Sequence, residues 1–269
     1  MSNQVVAGIV TEVRKQNPLV QAITNYVTIN DCANVLISLG ASPAMCEARD
    51  EVEEFVAIAG ALYLNIGTLT AEQKEAMMIA AATASKLGIP VVLDPVGVGS
   101  ISRKQAFVNQ LLSQHKIAVI KGNAGEIKSL AGFAGGIRGV DSNDDGTHII
   151  EACSRLAEEY NTVVVATGMI DTISDGKRVV QVHNGHSALT MVSGTGCMLG
   201  AMTAATAAVE RDFFLAACAA VVVMGVAGEM AASGMGEIIL PGTFRNRLMD
   251  CIYQISEKDI IKAGKLTWL

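Results

Sequence analysis

The sequence predicts an α/β protein in three layers, with a central, mostly parallel sheet between two layers of helices. Over the first two thirds of the chain, short and continuous apolar runs alternate with longer amphipathic ones. The amphipathic stretches carry helix-end signals, such as Thr70 before one of them and Gly88 with Pro90 after it. Asp175-Gly176 lies between two further short runs, a pattern typical of a β-hairpin.

The short apolar runs predict parallel strands, because uninterrupted runs of Val, Leu and Ile are typical of strands buried on both faces. Helices between successive parallel strands cover both faces of the sheet. The strands are predicted at 19–24, 62–65, 90–93, 117–120 and 162–166.

After residue 167 the pattern changes to an antiparallel hairpin, at 171–174 and 179–183, and then to helices near 196–209, 212–232 and 242–257. The Gly-rich stretch 132–146 predicts a surface loop. The chain has no Pro/Ser-rich linker, charge block or repeat, so residues 1–269 are predicted to form a single domain.

Composition restricts the classes of function. With 51% hydrophobic residues and 17% charged ones, the chain can fill a large core and is not a disordered segment. The net charge is -6 and basic residues do not cluster, which argues against nucleic acid as a partner. The apolar stretches 187–209 and 213–228 are rich in Ala and Gly and are interpreted as buried helices, so no membrane partner is expected. Scattered cysteines without a CxxC spacing indicate reduced thiols and a cytoplasmic protein.

The stretch Gly194-Thr195-Gly196-Cys197 precedes an Ala-rich helix and is the most informative local motif. Glycines before a helix leave backbone N–H groups free to face an anion, and the helix dipole adds to this attraction. The alternative is that the glycines only allow close helix packing, and the local sequence leaves both interpretations open. The motif is neither a P-loop nor a dinucleotide-binding fingerprint.

Polar residues follow the predicted strands at the edge of the sheet where ligands bind in such folds. Asp94 and Glu126 follow two consecutive strands, and one or two carboxylates suit Mg²⁺. The alternatives are a turn at Asp94 and a capping box between Asn123 and Glu126. Lys121 and Thr167 end the next strands, where a lysine can meet a phosphate, although a solvated surface lysine is the simpler interpretation.

Seven short motifs follow one another along the chain: Gln21-Ala-Ile-Thr-Asn25, Ser42-Pro-Ala-Met45, Asn65-Ile-Gly-Thr68, Leu93-Asp-Pro-Val-Gly-Val-Gly99, Lys121-Gly-Asn-Ala-Gly-Glu126, Ala166-Thr-Gly168 and Gly194-Thr-Gly-Cys197. In this order and at these spacings, they resemble the hydroxyethylthiazole kinase family of the ribokinase superfamily.

The resemblance implies transfer of the γ-phosphoryl group of ATP to the primary alcohol of hydroxyethylthiazole, with Mg²⁺, in thiamine salvage. It implies a homotrimer with sites between subunits. It also implies the following roles: Asp94 and Glu126 for the metal; Lys121, Thr167 and Asn123 for ATP; Met45, Asn25 and Gly194 for the thiazole; and the backbone of Gly194, Thr195 and Gly196 as an anion hole. Many relatives have Arg at the position of Lys121.

Cys197 is the candidate base for the attacking hydroxyl. Most members of the wider superfamily have Asp at this position, whereas thiazole kinases resemble this chain in having Cys. Three alternatives stay open: a hydroxymethylpyrimidine kinase of the same pathway, an ATP-dependent hydrate dehydratase of the same fold, and a non-catalytic vitamin-binding protein. Cys197 argues against the dehydratase, Ser42-Pro-Ala-Met45 favours the thiazole, and the polar residues at one sheet edge argue against a binding protein.

Overall fold

The computed structural model describes residues 3–133 and 147–269. Its strands, in chain order, are β1 Leu19–Ile23, β2 Ser42–Ala44, β3 Ala61–Asn65, β4 Val91–Asp94, β5 Val119–Asn123, β6 Val163–Thr167, β7 Asp171–Ser174, β8 Val179–Val182 and β9 Leu266–Trp268. Within the described residues they form one nine-stranded sheet, in the order β2-β1-β3-β4-β5-β6-β7-β8-β9.

The sheet has a parallel part and an antiparallel part. Strands β1 to β6 pair in parallel, so their carboxyl ends meet at one edge. From β6 onward each pairing is antiparallel, which confirms the predicted hairpin extension. The parallel strands β3 and β4 are buried throughout, as their uninterrupted apolar sequences predict.

Helices cover both faces of the sheet. They are α1 Asn3–Gln16, α2 Ile29–Leu39, α3 Val52–Ile58, α4 Ala71–Leu87, α5 Ser102–Gln114, α6 Ala124–Leu130, α7 Thr147–Tyr160, α8 Thr195–Val209, α9 Phe213–Ala232, α10 Pro241–Gln254 and α11 Glu257–Ala263, with a short 3-10 helix at Ser187–Met191. One core cluster joins the sheet to α1, α2, α8, α9, α10 and α11, and a second joins the opposite face to α3, α4, α5, α6 and α7. The predicted three-layer α/β/α architecture is confirmed.

Helix α9 is the one described helix that is long and apolar enough to span a membrane. In this fold 78% of its apolar window is buried inside the protein, as expected of a core helix. Small residues let α8 and α9 pack closely, because Ala is the most frequent residue at the buried positions of both helices. The predicted interpretation of both stretches as interior helices agrees with this burial.

The structure differs from the sequence prediction at the two ends of the sheet. Strand β2 is only three residues long and contains Pro43, which a strand pattern tolerates only at an edge. Strand β9 lies at the C-terminus and pairs with β8. The predicted loop at 132–146 lies almost entirely outside the described residues.

Candidate active site

The start of helix α8 faces the carboxyl ends of β1, β3, β4 and β5. Gly194 lies directly before the helix with a φ of 90°, in the left-handed region that favours glycine. A Cβ at this position would also lie 2.4 Å from Cγ2 of Thr28, so the position has no room for a side chain. No side-chain cap hydrogen bond is made at this end of α8 within the described residues, although the first N–H groups of a helix have no partner inside the helix. Gly194 therefore lies at the start of α8 as predicted, and the anion-binding role of this helix start stays a prediction.

Asp94 lies in the buried centre of this edge, with 1% of its surface exposed. Its Oδ2 accepts hydrogen bonds from the hydroxyl of Tyr63 at 3.0 Å and from Nδ2 of Asn65 at 3.1 Å. Its Oδ1 is buried and has no hydrogen-bond partner. Burial raises the pKa of Asp94, while the positive charge of Lys121 opposes this effect.

Lys121 is a buried lysine rather than a surface one, with 4% of its surface exposed. Its Nζ lies 3.3 Å from Oδ2 of Asp94, and a Cβ at Gly196 would lie 3.1 Å from the same nitrogen. Burial opposes the charge on Lys121, but the neighbouring carboxylates outweigh it and raise the pKa of the ammonium. A fixed positive charge therefore lies beside the first turn of α8.

Cys197, the candidate base, is the third residue of α8 and is partly exposed. Its Sγ lies 3.2 Å from Nδ2 of Asn65 and 3.4 Å from Nδ2 of Asn25. The sulfur is thus an acceptor for two amide groups that come from the ends of β1 and β3. The predicted position of Cys197 in the first helical turn is confirmed.

Glu126 and Asn123 form a capping box at the start of α6, as one of the two alternatives predicts. Oδ1 of Asn123 accepts from the backbone N–H of Glu126 at 2.9 Å, and Oε2 of Glu126 accepts from the backbone N–H of Asn123 at 2.8 Å. Oε1 of Glu126 also accepts from the backbone N–H of Gly97 at 2.8 Å. The carboxylate therefore joins the loop after β4 to the start of α6, and its role toward a metal stays a prediction.

Thr167 ends β6, where its hydroxyl donates to the carbonyl of Gly122 at 3.3 Å. Asp171 closes the loop that follows, because its Oδ1 accepts from the backbone N–H of Gly168 at 2.9 Å. Burial raises the pKa of Asp171 to about 6. The two residues belong to the edge that contains Lys121.

Lys104 of α5 is a second buried lysine, with 6% of its surface exposed. Its ammonium donates to the carbonyl of Gly67 at 2.7 Å and to that of Val96 at 2.8 Å. Burial lowers its pKa. Lys104 thus ties together the loops that follow β3 and β4, which are the loops next to Asn65 and Asp94.

Met45 lies directly after β2, at the outer end of the parallel part, and packs against the core cluster that contains α8. The neighbouring carbonyl of Cys46 accepts from Nε2 of Gln21 at 3.2 Å. The structure places Met45 at the same edge as Asn25, but it lies outside the network around Asp94. Its contact with a thiazole stays a prediction.

Sequence reasoning missed Tyr63 and Lys104, and it gave Asn65 no role. Tyr63 lies in the middle of an apolar strand, where an aromatic residue is typical of a core. Its hydroxyl accepts from Nδ2 of Asn65 at 2.8 Å and donates to Asp94, so Tyr63 is part of the hydrogen-bond network of the site. Burial raises the pKa of Tyr63 well above its ordinary value, which keeps the hydroxyl a donor.

Solved structures share this architecture. A hydroxyethylthiazole kinase from Pyrococcus horikoshii OT3 matches with a TM-score of 0.90 and 38% sequence identity, over 98% of both chains. A pyridoxal kinase from Staphylococcus aureus, in complex with AMP-PCP and pyridoxal, matches with a TM-score of 0.62 over 93% of this chain and 98% of that one. Its 15% identity shows the fold alone. Fold and site together define a ribokinase-like phosphotransferase with an alcohol group as acceptor.

Sequence comparison narrows this class. The model of the hydroxyethylthiazole kinase family matches residues 10–258. Hydroxyethylthiazole kinase 1 from Clostridium botulinum (strain Kyoto / Type A2) is 50% identical over 261 residues, which cover 97% of this chain and 98% of that protein. Hydroxyethylthiazole kinase from Clostridium kluyveri is 49% identical over 98% of this chain and 97% of that protein. The chain belongs to the hydroxyethylthiazole kinase family.

Proposed function

We propose that the protein transfers the γ-phosphoryl group of ATP to the primary hydroxyl of hydroxyethylthiazole, in thiamine salvage. The observation that supports this most is the position of Cys197. It lies in the first turn of a helix without a side-chain cap and accepts hydrogen bonds from two buried amides. A proton acceptor beside an anion-binding helix start suits the attack of an alcohol on a phosphoryl group. Positioning and electrostatic stabilisation supply most of the catalysis in such transfers.

The residues at this edge fit a magnesium ion. Oδ1 of Asp94 is a buried carboxylate oxygen without a hydrogen-bond partner, and Mg²⁺ is usually bound by one or two carboxylates, waters and substrate phosphates. No cluster of three or more His, Cys, Asp or Glu suited to a metal occurs among the described residues. Asp94 and Glu126 would hold the ion, which would neutralise negative charge on the phosphates.

Residues of this chain would bind and orient both substrates. The ammonium of Lys121, next to Gly196, supplies positive charge toward the phosphates of ATP, with Thr167 and Asn123 at the neighbouring strand ends. The backbone N–H groups of Gly194, Thr195 and Gly196 form the anion hole. Met45, Asn25 and Gly194 line the thiazole end, and Cys197 takes the proton of the hydroxyl.

We infer further that residues 1–269 form a single domain and that the protein acts in the cytoplasm as a homotrimer with sites between subunits. Large apolar side chains next to Asn25 and Gly194 in the sequence, and others just before α10, are exposed in the single chain, which supports coverage by another subunit. Their exposed fractions are 54% for Tyr26, 67% for Val27, 47% for Met191, 78% for Ile238 and 59% for Leu240. Light scattering at the assay concentration tests the homotrimer, since an active monomer would contradict that assembly.

The function itself is tested by ADP release from purified protein with three acceptors: hydroxyethylthiazole, hydroxymethylpyrimidine and a simple sugar. We expect strong stimulation by the thiazole alone. Stimulation by the pyrimidine instead would move the assignment to the other kinase of the pathway. If none of the three alcohols stimulates ADP release, the proposed function is wrong.

A further inference from the structure

Asn25 and Asn65 both direct an amide nitrogen at Sγ of Cys197, and the surrounding hydrogen bonds fix this orientation. Oδ1 of Asn25 accepts from the backbone N–H of Thr28 at 3.1 Å. Oδ1 of Asn65 accepts from the backbone N–H of Gly67 at 2.9 Å and from Nδ2 of Asn25 at 3.0 Å. Turning either amide around would place an NH₂ group against an N–H donor, so the network determines which atom faces the sulfur.

The two amides are held in place by close packing. Asn65 has no exposed surface, and Asn25 has 4%. A Cβ at Gly67 would lie 2.8 Å from Cβ of Asn25, so this glycine is what lets the two strand ends approach. Cys197 itself is partly exposed, in contrast to the two buried amides.

We propose that Asn25 and Asn65 are positioning residues that hold Sγ of Cys197 as a hydrogen-bond acceptor for the proton of the substrate hydroxyl. Two N–H donors occupy the inner side of the sulfur, so a hydrogen on the sulfur cannot point at them. Hydrogen bonds of this kind stabilise the anionic form of their acceptor. The same two N–H groups could also donate to a carboxylate, so the geometry is compatible with Asp in place of Cys197.

This inference rests on the proposed role of Cys197 and changes the expected role of Asn25. Asn25 acts through Cys197 in this account, whereas a direct contact with the thiazole would give it a role in substrate affinity. The two roles differ in kinetics. Loss of a positioning residue lowers kcat and leaves the KM for the thiazole alcohol nearly unchanged, while loss of a substrate contact raises that KM.

The test replaces each amide with an apolar side chain of similar size, in the variants Asn65→Leu and Asn25→Leu. The rate at which iodoacetamide alkylates Cys197 is measured at one fixed pH by peptide mass spectrometry, alongside kcat and KM. Cys46 and Cys251, which are also partly exposed, serve as internal references. We expect Asn65→Leu to slow the alkylation of Cys197 by about tenfold, because thiolate is the form that reacts and it would lose a hydrogen-bond donor. The value of kcat should fall at least as much, because Nδ2 of Asn65 also donates to Oδ2 of Asp94. Asn25→Leu, with the longer contact, should have a smaller effect.

Asn184→Leu is the matched control. Asn184 is a buried asparagine whose Nδ2 donates to the carbonyl of Ala263 at 2.8 Å, and none of its hydrogen bonds goes to a residue of the site. This variant should lose stability without slowing the alkylation of Cys197. If Asn65→Leu does not fold, Asn65→Ser takes its place with the same expectation.

Unchanged alkylation of Cys197 in the folded Asn65 and Asn25 variants would overturn the proposal. A raised KM for the thiazole alcohol with an unchanged kcat would overturn it as well, and would assign Asn25 to the substrate. The alkylation rate does not depend on turnover. A protein that releases no ADP with the thiazole therefore contradicts the proposed function and leaves this measurement intact.

Discussion

The ring of Tyr63 packs directly against Gly200 of helix α8. A Cβ at position 200 would lie 2.6 Å from the ring and 2.7 Å from its hydroxyl oxygen. The same hydroxyl donates to Oδ2 of Asp94 and accepts from Asn65. The glycine therefore determines both how closely α8 approaches the sheet and where Asp94 is held.

Gly200→Ala should destabilise the protein and slow the reaction. The added methyl group must displace a fully buried ring, and overpacking of this kind costs about 1–3 kcal/mol. Ala favours a helix over Gly by about 1 kcal/mol, so a net loss would show that the ring contact dominates. Urea unfolding and kcat measure the two effects.

Gly8→Ala is the control for that variant. Gly8 lies in α1, and a Cβ there would meet no atom within 4 Å. The substitution should leave kcat unchanged and stabilise the protein by up to about 1 kcal/mol. A Gly200→Ala protein with wild-type stability and kcat would contradict the account of Tyr63.

Most of the fold could be predicted because parallel strands buried on both faces leave a plain signal in the sequence. The runs predicted at 90–93 and 162–166 are strands at Val91–Asp94 and Val163–Thr167, each shifted by one residue. Strand β2 was not predicted, because its three residues include a proline and show neither an alternating pattern nor an apolar run. Its pairing with β1 comes from tertiary contact, which local sequence does not encode.

The site could be predicted only in part, since local sequence reveals residue types at strand ends but not contacts across the chain. Asp94, Lys121 and Cys197 were found because charged or nucleophilic residues stand out beside apolar runs. Asn65 reaches Cys197 across 132 positions of sequence, and nothing local indicates that contact. From local sequence alone, Lys104 is expected to be a solvated lysine on a helix surface. In the structure it is buried, and its ammonium donates to two backbone carbonyls.

Asp94 and Glu126 should differ in what their loss does to magnesium dependence and stability. Asp94→Asn should lower kcat strongly and raise the Mg²⁺ concentration needed for half-maximal rate, because the proposed carboxylate ligand of the metal would be lost. Glu126→Ala should do the same and also lower the unfolding free energy by about 1–2 kcal/mol, since two backbone N–H groups lose their acceptor. Kinetics at graded Mg²⁺ and urea unfolding separate these effects. A destabilised Glu126→Ala protein with wild-type magnesium dependence would limit Glu126 to the capping box.

Arg178 should make the stability of the hairpin region depend on acid pH. Its guanidinium donates to both carboxylate oxygens of Asp212, at 2.7 and 2.8 Å, and lowers the pKa of Asp212 below its ordinary value. A carboxyl group with a lowered pKa contributes stability that is fully present above its unfolded pKa of about 4 and is lost as the pH falls through the lower folded pKa.

Arg178→Met keeps an apolar stem and removes the charged guanidinium, whose central carbon lies 4.4 Å from the centre of the Phe214 ring. It should lower stability by about 1 kcal/mol at neutral pH, a modest value because the ion pair is partly exposed. The difference from wild type should shrink below about pH 3 in urea unfolding. Arg49→Met is the control, since its ion pair with Glu75 is mostly exposed and should contribute little at either pH. A difference that stays constant with pH would contradict the role of Arg178.

The central claim is that Cys197 accepts the proton of the thiazole alcohol at the anion-binding start of α8. The most direct test is kcat for ADP release with hydroxyethylthiazole in wild type, Cys197→Ser, Cys197→Asp and Gly194→Val. General-base catalysis contributes roughly 10²–10⁴-fold, and a loose transition state places this reaction at the low end. Cys197→Ser should therefore slow kcat by about a hundredfold without abolishing it. Cys197→Asp should stay active, and Gly194→Val should be the slowest because its side chain crowds Thr28 and the anion site. A fully active Cys197→Ser protein, or a Cys197→Asp protein that binds both substrates and does not turn over, would contradict the claim.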